Sequence, residues 1–120
     1  VKRNWGRIVS VSSIWGVVTR SGRLSYSTSK MALLGINKTL AVEWAKNNVL
    51  VNSVSPGFTL TELTKTTNTE EELKIIENKI PQKRFAMPKE IASGVLFLTS
   101  NLNTYIVGQN LIIDGGYTAI

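Results

Sequence analysis

Hydrophobic positions fall into short β-branched runs separated by longer stretches of helical period. Arg7-Ile-Val-Ser-Val-Ser-Ser13 is a brief apolar run ending in small polar residues, which predicts a buried strand that delivers serines to a sheet edge. A loop with Gly16 and Gly22 follows. From Ser25 to about Lys46 the period becomes helical, with Leu33, Ile36, Leu40 and Trp44 on one stripe and Met31 and Leu34 beside it. That arc is wide enough to predict cover on more than one face. Gly35 inside it costs about 1 kcal/mol relative to Ala, so a close backbone approach is expected there. Val49–Val54 reads as a second strand, stopped by Ser55-Pro56-Gly57.

Strand, helix and strand within some fifty residues make a βαβ crossover, and hence a parallel pair. Beyond Phe58 the pattern changes. Thr69 with Glu72 three residues later predicts a capping box for a helix with Leu73, Ile76 and Ile80 on one face. This segment suits a mobile lid or simply a peripheral helix. Pro88 opens another helix, with Ile91, Val95 and Leu98 on its stripe, and Leu111–Ile113 is the last strand. Asp114-Gly115-Gly116 permits a hairpin, but no return strand fits after it, so it is expected to end the sheet. The order is that of an α/β chain forming half of a doubly wound parallel sheet.

Composition narrows the chemistry. The 120 residues are 42% hydrophobic and 18% charged, as in a globular chain with one core. There is no Cys and no His, so disulfides, thiolate chemistry and a Ser-His-Asp triad are excluded within these residues, and no metal site is expected. Fourteen Lys and Arg against eight Asp and Glu give +6. The cations Lys2, Arg3, Arg7, Arg20, Arg23, Lys30 and Lys38 are scattered, while Glu70, Glu71, Glu72 and Glu77 cluster later. A solvated surface is the expectation, with no nucleic-acid partner. No apolar run is long enough for a membrane span and no signal peptide is visible, so a soluble, cytoplasmic chain is expected.

Three residues form a chemical set: Ser13 at a strand end, then Tyr26 and Lys30 at the head of the helix. Four residues apart, Tyr26 and Lys30 lie on one helical face. A phenol is ordinarily a poor acid or base at neutral pH, and a neighbouring ammonium favours its ionised form. With a hydroxyl beside them, such groups can donate to a carbonyl oxygen and move its proton. Taken singly, each element has a commonplace reading as a helix pair, a cap or a turn. The joint order, with Pro56-Gly57 at the next strand end, is far more specific. Val1 falls in mid-pattern with no initiator Met, and nothing before Ser13 can bind a dinucleotide phosphate. These residues are therefore expected to be the second half of a larger subunit.

On Gly6–Ser13, Tyr26-Ser-Thr-Ser-Lys30, Val51–Gly57, Pro88–Ala92 and Gly108–Gly116 the chain resembles the C-terminal half of a short-chain dehydrogenase/reductase, most similar to the 3-oxoacyl-acyl-carrier-protein reductase-like branch. The resemblance covers nearly the whole chain. It implies a partial Rossmann-like domain over 1–120 acting on a carbonyl or secondary alcohol with NAD or NADP. It implies Ser13 as donor to the substrate oxygen, Tyr26 as acid/base, and Lys30 as ribose binder and modulator of the phenol. Pro56, Gly57, Thr59 and Thr61 would line the nicotinamide carboxamide and adjacent phosphate, with residues 58–85 covering the substrate. The family's Gly-rich loop, its nucleotide-selecting residue and its Asn-Asn-Ala-Gly segment would all precede Val1. The long helix and the final helix and strand usually build interfaces, which implies a homo-oligomer, a dimer or tetramer.

Two other readings remain from the residues. One is a non-catalytic, truncated reductase-like chain acting by association; the other is an extended-type nucleotide-sugar epimerase or dehydratase, which the ending at Asp114-Gly115-Gly116 disfavours. Arg20 and Arg23 stand in the loop where a substrate would pass; they suit either steering of an anion or plain solvation.

Overall fold

The computed structural model describes residues 3–119, so Val1, Lys2 and Ile120, including the cation expected at position 2, lie outside the described residues. Strand β1 (Gly6–Val11) pairs in parallel with β2 (Val49–Pro56), which pairs in parallel with β3 (Asn110–Ile113), giving the sheet order β1-β2-β3. The register sets Gly6 opposite Val49 and Val11 opposite Val54, so the carboxyl ends of the strands align on one edge. Helix α1 (Leu24–Trp44) makes the first crossover and covers one face, where Ala41 packs on Val49 and Val51. On the opposite face α4 (Pro88–Thr99) sets Ile91 and Leu98 against Val54. The fold is α/β with three parallel strands, as the alternation of periods predicts. Among the described residues no helix is long and apolar enough to cross a membrane.

Helix α1 does not bury the stripe read from its period. Its buried residues are Ser27, Asn37 and Ala41, whereas Ile36 is 53% exposed. Leu40 and Trp44 are only partly buried. The sheet-facing side is polar because the sheet offers partners. Asn37 accepts from Ser10 Oγ at 3.0 Å and donates to the Asn52 carbonyl at 3.1 Å, so burying it leaves no unpaired group. Gly35 also departs from expectation: a Cβ there would meet nothing within 4 Å. The close approach belongs to Gly94 in α4, whose Cα faces Ile113 and Leu111 of β3.

Residues 58–85 hold two helices where the pattern predicts one. Thr69 and Glu72 form the expected capping box at the head of α3 (Glu70–Lys79), with Glu72 Oε2 accepting from the Thr69 amide at 2.8 Å. Before it lies α2 (Glu62–Thr67), capped by Thr61, whose Oγ1 accepts from the Thr64 amide at 3.2 Å. Its polar, threonine-rich sequence carries no apolar period, so propensity rules give it away poorly. The segment closes on the body through Arg84, whose guanidinium makes two hydrogen bonds to the Glu90 carboxylate at 2.7 and 2.8 Å. Those bonds, with a third from the Met87 amide, hold the Glu90 carboxyl down at about 2.

Candidate active site

Ser13 does not close the strand. β1 ends at Val11, Ser12 donates its amide to the Val54 carbonyl at 2.8 Å, and Ser13 caps a tight 3-10 turn over Ile14–Gly16. The cap fixes the hydroxyl. Ser13 Oγ accepts from the Trp15 amide at 3.2 Å, which uses an acceptor lone pair and leaves the O–H to donate elsewhere.

Tyr26 and Lys30 occupy successive turns at the start of α1. Lys30 Nζ lies 5.7 Å from the centre of the Tyr26 ring and donates to the Val11 carbonyl at the end of β1, 3.1 Å away. That bond holds the ammonium between strand and helix and leaves further donors for a ligand. Tyr26 is 43% exposed.

One cleft of about 470 Å³ is lined by Ser13, Tyr26, Gly57, Thr59 and Thr61, five of the seven residues singled out in the sequence. Lys30 and Pro56 do not line it. Lys30 reaches the region through its bond to Val11, and Pro56 is the last residue of β2, paired with Ile113. Gly57 has a structural reason to be glycine: a Cβ would meet the Asp114 backbone at 2.7 Å, because the end of β3 lies directly against it. From Gly57 the chain turns outward, and Thr59 bridges to Ala86 across the root of the segment that carries α2 and α3.

Residues that the motif reading passes over hold this geometry. Ser12 is buried and donates its hydroxyl to the Lys30 carbonyl at 2.9 Å, tying the end of β1 to the turn of α1 that bears the ammonium. Gly16 makes room for that contact, since a Cβ there would come within 2.7 Å of Ser12 Oγ and 3.0 Å of the Lys30 carbonyl. A serine doublet with a glycine three residues on is the only sequence trace of this joint. Trp15, Phe58, Phe85 and Tyr117 form an edge-to-face aromatic wall, Phe58 and Tyr117 lying 5.1 Å apart between ring centres. The wall brings together four distant segments, which no local pattern reveals.

The chain has relatives among known proteins. The family model for enoyl-(acyl carrier protein) reductase matches residues 1–118. The 3-oxoacyl-(acyl-carrier-protein) reductase FabG of Aquifex aeolicus (strain VF5) is 46% identical over 116 residues, which cover 97% of this chain and 46% of that protein. Gluconate 5-dehydrogenase from Burkholderia cenocepacia J2315, in complex with NADP and tartrate, superposes with a TM-score of 0.92 at 25% identity, over 99% of this chain and 47% of that one. 4-Hydroxyisoleucine dehydrogenase complexed with NADH superposes with a TM-score of 0.89 at 36% identity, over 94% and 47%. The chain thus spans about half the length of the relatives it matches. With a family model matched over residues 1–118 and three parallel strands laid over the corresponding part of these folds, the chain belongs to the short-chain dehydrogenase/reductase family, as the C-terminal half of its Rossmann-like fold.

Proposed function

We propose that the full-length protein containing these residues is an NAD(P)-dependent oxidoreductase acting on a carbonyl or secondary alcohol. The convergence of Ser13, Tyr26, Gly57, Thr59 and Thr61 on one cleft, with the Lys30 ammonium pinned at its strand end, carries this reading. The donor set fits the nicotinamide end of a dinucleotide. Lys30 can spare donors for ribose hydroxyls, and the threonine hydroxyls and backbone after Gly57 match the mixed donor and acceptor needs of a carboxamide. A bound nicotinamide supplies or accepts the hydride. The residues do the rest: Ser13 donates its O–H to the substrate oxygen, and Tyr26 Oη gives up or takes the proton on that oxygen. The relatives in complex with NADP and with NADH support either nucleotide. The similarity to a 3-oxoacyl-carrier reductase supports a 3-oxoacyl thioester as the first substrate to try.

Residues 58–85 act as the substrate cover, with α2 and α3 rooted at Thr59 and Arg84. Outward apolar residues on α1, among them Ile36 and Met31, support self-association as a dimer or tetramer. The test of the site is a serine series in the full-length protein. Ser13→Ala is expected to lower kcat about a hundred-fold, as loss of one donor to a developing oxyanion does, and Ser13→Thr to restore part of it. Following NAD(P)H oxidation with acetoacetyl thioester reads this directly. A Ser13→Ala enzyme within three-fold of wild type would remove Ser13 from the mechanism.

A further inference from the structure

We propose that the candidate site continues into a cationic groove that selects substrates bearing an anionic group, phosphate or carboxylate, at the end remote from the reacting carbon; this rests on the oxidoreductase reading and deepens it. A second cleft of about 730 Å³ adjoins the first, with Trp15 and Arg20 lining both. Its far part gathers Arg20, Lys79 and Lys83 from three separate segments: the loop before α1, the last turn of α3, and the turn that follows it. Arg23 lines the near part. No Asp or Glu lines either part.

That charge pattern is local. Two acids of the neighbourhood are engaged elsewhere: Glu90 with Arg84, and Asp114 with the Gly116 and Thr118 amides and the Thr118 hydroxyl. Among the described residues the two ion pairs are Lys65–Glu62 and Arg84–Glu90, and neither draws on the groove's cations. Two of those cations are held in place. The Arg20 guanidinium stacks over the Trp15 ring at 5.2 Å, and Lys83 Nζ donates to the Asn78 carbonyl at 2.6 Å. A stacked guanidinium keeps its in-plane donors for a forked bond to phosphate or carboxylate. Val18, Pro81 and Tyr117 line the groove between and around the cations, so it suits an apolar spacer that ends in a negative group. Concave walls and one sign of charge concentrate such anions at the mouth of the site.

The test uses the full-length protein with its nicotinamide dinucleotide at saturation, so that dinucleotide phosphate sites are filled. Inorganic pyrophosphate is titrated while tryptophan fluorescence is followed. Saturable binding that weakens with added salt and falls about ten-fold in the K79Q/K83Q variant is expected. Two substrate pairs then identify the anion: acetoacetyl-phosphopantetheine against acetoacetyl-pantetheine, and a carboxylate-ended 3-oxo ester against its neutral methyl ester. In wild type the ratio of kcat/KM, charged over neutral, is expected to be about ten for one pair and to approach one in K79Q/K83Q and in Arg20→Gln. Absence of saturable pyrophosphate binding, or binding and ratios that the variants leave unchanged, would overturn the groove. Pyrophosphate binding that depends on the lysines, with no turnover of any substrate, would instead leave the groove standing and defeat the oxidoreductase reading.

Discussion

Tyr26→Phe in the full-length protein is expected to lower kcat about a thousand-fold and to leave nicotinamide nucleotide affinity within two-fold of wild type. The substitution deletes one oxygen from a half-exposed ring on a helix whose buried contacts are made by Ser27, Asn37 and Ala41, so the fold has little to lose. Lys30 keeps its bond to the Val11 carbonyl, and with it the donors assigned to ribose. What disappears is the proton donor, and removal of a positioned acid/base commonly costs between a hundred- and ten-thousand-fold. Steady-state turnover and nucleotide titration by fluorescence separate the two quantities. Turnover within ten-fold of wild type would take the proton away from Tyr26.

Gly57→Ala is expected to destabilise the full-length protein by about 2 to 3 kcal/mol, seen as a lower denaturant midpoint with unchanged slope. The added methyl would meet the Asp114 backbone at 2.7 Å, and backbone cannot swing aside as a long side chain can. Gly57 also donates its amide to the Ile113 carbonyl at 2.8 Å, so relief by shifting β3 breaks a ladder bond. Thr59 and Thr61 follow directly, and the shift carries them away from the cleft. Activity is therefore expected to fall with stability. An alanine variant as stable as wild type would mean that the junction of β2 and β3 is looser than described.

The alternation of β-branched runs and helical stretches was enough to read the three parallel strands and both covering helices, because one period or the other dominates each of those segments. It failed where burial is polar. The sheet-facing side of α1 carries Asn37, whose partners Ser10 and Asn52 lie on two different strands, so no periodicity of apolar residues marks it. α2 escaped for a related reason, since Glu62–Thr67 is held by the Thr61 cap and shows no apolar stripe. For the site, Ser13, Tyr26 and Lys30 were visible as a spaced set, and five predicted residues line one cleft. Ser12, Gly16 and the Trp15–Phe58–Tyr117 wall were not, because their meaning lies in contacts between segments that are remote in sequence.

The central claim is that this cleft couples hydride transfer to a proton held by Tyr26. Its most direct measurement is deuteride transfer: the full-length protein is given NADH or NADPH deuterated on the transferring face, with a panel of ketones that includes a 3-oxoacyl thioester, and the product alcohol is weighed by mass spectrometry. One deuterium on the carbinol carbon with wild type, and none above background with Tyr26→Phe, is the expected result. Transfer undiminished by Tyr26→Phe, or no transfer from either nucleotide to any ketone despite saturable nucleotide binding, would contradict the account.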